Sequence, residues 1–114
     1  MKKIISYVAS AVVGLSLSVS TAKADCGEVS IGAMGWASGE SIASVAKFVL
    51  EVGYGCKVKL VPTDTVPAVT SLAENGQPDI VPEVWKNSAP VYSELEAAGK
   101  VITASSVFAN GGEE

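Results

Sequence analysis

The chain has no histidine and no arginine, so lysine is its only cationic side chain. Without histidine it lacks the usual base of a Ser-His-Asp or Cys-His pair and the commonest metal ligand. It also has no Gly-x-Ser-x-Gly turn, the position of the nucleophilic serine in many hydrolases. We therefore do not expect an enzyme, and no metal or organic cofactor is indicated.

The first part of the chain predicts export. Two lysines precede the apolar residues 4–19, and Ala22-Lys23-Ala24 has the small-x-small pattern of a signal peptidase site. We expect residues 1–24 to be a signal peptide that is cleaved after Ala24, and the mature protein to be periplasmic. A membrane anchor would need about 20 continuous apolar residues, and serines interrupt this run. The mature chain is therefore not expected to be embedded in a membrane.

Charge is scarce and mostly of one sign in residues 25–114. This part has five lysines against all twelve carboxylates of the chain, which leaves a net charge of −7. Such a chain is repelled by nucleic acid and by anionic lipid. We expect neither to be a partner.

Cysteine is also rare, because Cys26 and Cys56 are the only two. Their spacing is not that of a C-x-x-C redox motif, and an isolated pair in an oxidising compartment most often forms a structural disulfide. A disulfide that closes a loop of this length stabilises a domain by about 3 to 4 kcal/mol in the chain-entropy model. A lipid anchor on Cys26 is not expected, because the residues before it do not resemble a lipobox.

The hydrophobic pattern predicts alternating strands and helices. The predicted strands are residues 29–33, 57–61, 79–84 and 101–104. The inward-facing residues of the predicted helices are Ile42, Val45, Ala46 and Val49 in the first, Val69 and Leu72 in the second, and Val91, Leu95 and Ala98 in the third. The first helix is predicted to start at Ser38 and to end at Gly53. The second is predicted to start at Asp64 or Thr65 and to end at Asn75-Gly76. The third is predicted to start at Asn87 or Ser88 and to end at Gly99. The alternation favours an α/β fold with a mostly parallel sheet and flanking helices.

Both tryptophans follow predicted strands. In a parallel sheet the loops after the strands open on one edge, where ligands commonly bind. Residues 35–39, 62–65 and 85–88 should therefore cluster, and they include Trp36 and Trp85. The alternative is that each tryptophan fills the core, as a large aromatic side chain of a small domain often does.

Four segments of the chain resemble the substrate-binding proteins of ABC importers for glycine betaine, proline betaine and choline. The segments are residues 29–36, 53–56, 61–67 and 78–85. The resemblance implies a hinged receptor with two α/β lobes, a type II periplasmic binding protein, that docks on the membrane subunits of its transporter. It also implies that Trp36 and Trp85 are walls of an aromatic box and that Cys26 and Cys56 form the disulfide found in some members.

The chemistry of a quaternary ammonium ligand agrees with this role. A trimethylammonium group has no N–H to donate, and aromatic faces offer it both an apolar surface and a negative quadrupole. On a strand, Glu83 and Trp85 would share a face, so Glu83 could add negative potential. Ser38 could reach a ligand's hydroxyl or carboxylate, although it could also cap the following helix. The choice between glycine betaine and choline stays open.

The chain is shorter than the resemblance implies. Two lobes need about two domains of ordinary size, so we expect residues 25–114 to be a partial first lobe of a truncated receptor that binds weakly or not at all alone. The alternative is a small exported, disulfide-bonded domain that acts through protein interaction, with the two tryptophans as its anchors.

Overall fold

The computed structural model describes residues 26–108, and these form an α/β fold. The elements, in chain order, are β1 (Glu28–Met34), α1 (Ala37–Tyr54), β2 (Lys57–Thr63), α2 (Thr65–Asn75) and α3 (Val91–Ala97). The predicted signal peptide lies outside the described residues. Within residues 26–108, no helix combines the length and the apolarity that crossing a membrane requires.

The sheet is parallel and two-stranded. β1 pairs with β2 along its whole length, from Glu28 opposite Lys57 to Met34 opposite Thr63. β1 buries Ser30, Ile31, Gly32 and Met34, whereas the residues of β2 are partly buried or exposed. The predicted fold class, a parallel sheet with flanking helices, is confirmed. The disulfide joins Cys26, two residues before β1, to Cys56, the residue directly before β2.

The third predicted strand is wrong, and two prolines explain why. Of residues 79–84, only Ile80 pairs with β1. The Ile80 N–H donates to the Ser30 carbonyl at 3.1 Å, and the Ile80 carbonyl accepts from the Gly32 N–H at 2.9 Å. In a parallel ladder every second residue of a strand bonds to the same neighbour. Extension in either direction would need the N–H of Pro78 or of Pro82, and proline has none. The pairing therefore stops after one residue.

Side-chain hydrogen bonds hold this segment where the ladder cannot. The Ser30 N–H donates to Asp79 Oδ2 at 2.7 Å, and the Asp79 N–H donates to Ser30 Oγ at 2.9 Å. The Ser30 hydroxyl lies 2.5 Å from Asp79 Oδ2 and 2.6 Å from Gln77 Oε1, and it can donate to either oxygen. These hydrogen bonds hold residues 77–79 against β1, directly before the point where Ile80 pairs with it.

The predicted start and end of α1 are wrong, whereas the predicted start and end of α2 are right. α1 begins after Trp36, whose backbone is extended, and it continues past Gly53 to end at Gly55, which has a φ of 70°. Ser38 lies inside its first turn and does not cap it. α2 begins as predicted at Asp64, whose Oδ1 accepts from the Thr65 N–H at 2.7 Å, and it ends at Asn75-Gly76.

The predicted inward face of α1 is only partly right. Val45 and Val49 are 63% and 48% exposed, whereas Ile42 and Ala46 are partly buried. The fully buried positions of α1 are Gly39 and Ala43. A sheet of two strands and one bridge contacts a narrower stripe of the helix than the apolar pattern offers.

A hydrophobic core lies between α2 and α3. Its buried members are Val69, Ala89, Tyr92 and Val101, with Leu72 and Leu95 among the partly buried residues against it. The predicted inward residues of α2 and α3 are buried or partly buried there, with one exception. Ala98 is exposed and is the C-cap of α3.

The end of the described chain forms no strand, so the predicted fourth strand is wrong. Residues 101–104 pair with no other strand in the described part of the chain. Instead, Thr103 hydrogen-bonds to Tyr92 and Glu96 of α3. α3 itself is shorter than predicted, because it begins at Val91 and not at Asn87 or Ser88.

The Ser30–Asp79 contact predicts an acid-dependent loss of stability. Hydrogen bonds from the Ser30 hydroxyl and then the Ser30 N–H hold the pKa of Asp79 below its usual value. A lowered native pKa contributes stability above the unfolded value of about 4, and this contribution is lost as the pH falls. We expect the free energy of unfolding, measured by urea titration, to be constant above about pH 5 and to decline below it.

The Asp79→Asn variant should be less stable at neutral pH and should lose less stability on acidification. A residual slope remains, because Lys47 and Thr103 lower the pKa values of Glu51 and Glu96. Glu74→Gln, which removes an exposed carboxylate, is the matched control and should keep the full slope. An unchanged slope in Asp79→Asn would contradict this assignment.

Candidate functional site

The ends of three chain segments meet at one edge of the sheet. Trp36 follows β1, Asp64 follows β2, and Trp85 follows the segment that bridges to β1. Together with Thr65 and Ser88 they line a shallow cavity of about 260 Å³. Loops after parallel strands open on the same edge, so the predicted clustering of residues 35–39, 62–65 and 85–88 is found in the structure.

One carboxylate oxygen connects the candidate residues. Glu83 Oε1 accepts from Trp85 Nε1 at 2.7 Å, from Trp36 Nε1 at 3.1 Å and from Ser38 Oγ at 3.0 Å. All four residues singled out in the sequence therefore meet at a single atom. The indole N–H lies in the ring plane, so these bonds hold each tryptophan by its edge.

Glu83 is buried, with 3% of its surface exposed. Its second oxygen, Oε2, is also buried and has no hydrogen-bond partner within the described residues. The ion pairs between residues 26 and 108 join Lys47 to Glu51 and Lys86 to Glu96, and neither involves Glu83. Three hydrogen-bond donors satisfy Oε1, whereas Oε2 receives none. No lysine within residues 26–108 is paired with this buried carboxyl group.

Both tryptophan rings are half-buried, so neither is a simple core residue. Trp85 stacks on Phe108, with ring centroids 6.1 Å apart and planes inclined by 22°. Such a contact is the offset stacking that aromatic pairs favour. It covers part of the Trp85 ring and fixes the tilt that the hydrogen bond at Nε1 leaves free. No sequence pattern predicts this pairing, because Phe108 lies in an irregular segment 23 residues after Trp85.

Gly39 positions Trp36 by its lack of a side chain. A Cβ at this residue would lie 2.6 Å from Met34 Cβ and 3.1 Å from Trp36 Nε1. The first turn of α1 can therefore approach the end of β1 only with glycine here. The sequence shows this glycine, but its role depends on a close approach that only the folded chain reveals.

Asp64 has two roles. Its Oδ1 caps α2, as predicted, and the residue also lines the cavity between the tryptophans. A carboxylate accepts more than one hydrogen bond, so the cap does not exhaust it. The sequence predicted the cap and a position for residues 62–65 at this edge, but it did not single out Asp64 as a cavity residue.

A larger cavity of about 660 Å³ lies behind this edge, between α2 and the last described residues. Trp85 and Glu83 border it, but Trp36 does not. Its walls include Val69 and Leu72 of the core between α2 and α3, together with Phe108. The two indoles meet only at the smaller cavity, which is therefore the candidate site.

No metal centre is evident in the part of the chain that the structure describes. Histidine, cysteine, aspartate and glutamate side chains do not gather there in groups of three or more.

The comparison with protein families identifies the type of domain that this chain forms. Residues 27–114 match the family described as the substrate binding domain of the ABC-type glycine betaine transport system. The chain belongs to this family. The resemblance seen in the four sequence segments is thereby confirmed. A comparison with curated proteins gave no match.

Membership assigns the chain a role in transport as the substrate-binding component of an ABC importer. Such a domain binds a small-molecule ligand and works with the membrane subunits of its transporter. The geometry described above shows which residues of this family member converge at one edge of its sheet.

The close approach at Gly39 predicts that Gly39→Ala displaces the Trp36 ring. The added methyl overlaps Met34 Cβ and crowds Nε1 of the indole, and overpacking of this kind typically costs about 1 to 3 kcal/mol. We expect a lower free energy of unfolding and a shifted indole N–H resonance of Trp36 in a ¹⁵N–¹H correlation spectrum.

Gly53→Ala is the matched control, because a Cβ there meets no atom within 4 Å. Alanine is favoured over glycine inside a helix by up to about 1 kcal/mol, so this variant should be slightly stabilised with both indole resonances in place. Equal behaviour of the two variants would show that Gly39 does not position the ring.

Proposed function

We propose that the chain binds the quaternary ammonium group of glycine betaine or choline between Trp36 and Trp85. It would do so as the exported solute-binding component of an ABC importer and would carry out no reaction itself. The observation that carries the proposal is the convergence of both indole N–H groups on Glu83 Oε1. Two aromatic rings held by their edges at one cavity can offer their faces to a methylated cation.

The proposed roles follow from the contacts. Trp36 and Trp85 are the walls, and Glu83 orients both rings and adds negative potential behind them. Ser38 donates to the same oxygen and completes the arrangement. Because its hydroxyl is bonded to Glu83, Ser38 supports the rings more directly than it serves a ligand. Removal of residues 1–24 by signal peptidase would place this site in the periplasm.

Two indole walls set a limit on affinity. Each cation–π contact contributes about 2 kcal/mol when desolvated. A total of about 4 kcal/mol corresponds to a dissociation constant of about 1 mM at best, and the entropy of association weakens it further. We therefore expect weak binding by residues 25–114, which must be tested at high ligand concentration.

Both tryptophans should be needed for binding. We expect choline or glycine betaine to shift the two indole N–H resonances in a saturable manner, at concentrations of millimolar or above. Trp85→Ala and Trp36→Ala should each abolish the response of the remaining tryptophan. Tyr54→Ala removes an exposed aromatic ring at the far end of α1 and should bind as the parent chain does.

A neutral ligand separates charge from shape in the same titration. 3,3-Dimethyl-1-butanol has the shape of choline with carbon in place of the charged nitrogen. It should produce little or no response, because a ring quadrupole attracts only the charged ligand. The proposal fails if no quaternary ammonium compound shifts either indole, or if the neutral alcohol binds as well as choline.

A further inference from the structure

We propose that this site prefers a quaternary ammonium compound with a net positive charge, such as choline, over the zwitterion glycine betaine. The inference rests on the proposed function and narrows its ligand class. The two ligands share the trimethylammonium group and differ in the other end, which is a hydroxyl in choline and a carboxylate in glycine betaine. The charges and hydrogen-bond donors around the cavity decide between these ends.

The charges near the cavity are negative. Asp64 is one of its lining residues, and the buried carboxyl group of Glu83 accepts a hydrogen bond from the edge of each indole. None of the described residues that line the cavity is a lysine. Lys86, the residue after Trp85, lies 5.0 Å from the centre of the Tyr92 ring and 3.8 Å from Glu96. A ligand carboxylate would therefore meet like charge, which disfavours it.

Three side-chain donors of the site are already engaged. The indole N–H groups of both tryptophans and the Ser38 hydroxyl all donate to Glu83 Oε1. A ligand carboxylate would have to compete with Glu83 for them, and it would leave a buried charge with fewer partners, which is costly.

The N-terminus of α2 is also occupied. A helix N-terminus normally favours a ligand anion, but here Asp64 Oδ1 accepts the Thr65 N–H and places its own negative charge at that end. The same carboxylate can accept a hydrogen bond from the hydroxyl of choline, since it has free acceptor capacity. The N-terminus of α1 would favour the opposite preference, because no side chain caps its backbone N–H groups. If these groups bind a ligand carboxylate, glycine betaine will be the better ligand.

The test compares dissociation constants for choline and glycine betaine in the parent chain, from the indole N–H shifts at constant ionic strength. We expect choline to bind more tightly, by about two- to fivefold, the range typical of one exposed charge pair. Asp64→Asn should bring the ratio close to one, because asparagine keeps the helix cap and removes the charge. The preference of the parent chain should also weaken as salt is added.

Glu74→Gln is the matched control, since it removes one carboxylate near the other end of the same helix, outside the cavity. It should leave the ratio unchanged. Equal or tighter binding of glycine betaine overturns the preference while the proposed function stands, and so does a ratio that Asp64→Asn does not change. Failure of both ligands to bind overturns the proposed function itself, together with this inference.

Discussion

The arrangement of the candidate site depends on one buried carboxylate oxygen that needs hydrogen-bond donors. A carboxylate removed from water is costly unless several donors satisfy it. Glu83 Oε1 has three such donors, and each comes from a different place: Trp36 after β1, Ser38 in the first turn of α1, and Trp85 two residues along its own segment. The hydrogen-bond requirement of one buried carboxyl group thus brings together side chains that are up to 49 residues apart in the sequence, from Trp36 to Trp85.

The position of Glu83 follows from an interrupted strand. Pro78 and Pro82 restrict the pairing with β1 to Ile80, and the Ser30–Asp79 hydrogen bonds anchor the entry to this short contact. If pairing continued, the next residues would alternate between the two faces of the sheet. Because it stops, the chain leaves the sheet and places Glu83 behind both indoles. The geometry of the candidate site therefore depends on where a strand cannot form.

The sequence predicted those features of the fold that depend on residues close together in the chain. The apolar runs of β1 and β2 and the limits of α2, with Asp64 and Gly76 at its ends, follow from side-chain type and spacing. The strand predicted at residues 79–84 was wrong although the segment contains Ile80, Val81 and Val84, because two prolines lack the N–H groups that pairing needs. Glu83 was selected for sharing a strand face with Trp85, which is not how they meet. The contacts of Phe108 with Trp85 and of Gly39 with Trp36 depend on tertiary approach, for which the sequence carries no period or motif.

The most direct measurement is the ¹⁵N–¹H correlation spectrum of the two indole groups in Glu83→Leu, with Trp36→Phe used to assign them. Leucine removes the shared acceptor and keeps an apolar side chain of similar size. If Glu83 holds both rings, the two indole resonances will move together, and both protons will exchange faster with solvent. If only one indole responds, or neither does, the rings are positioned independently and Glu83 does not organise the site.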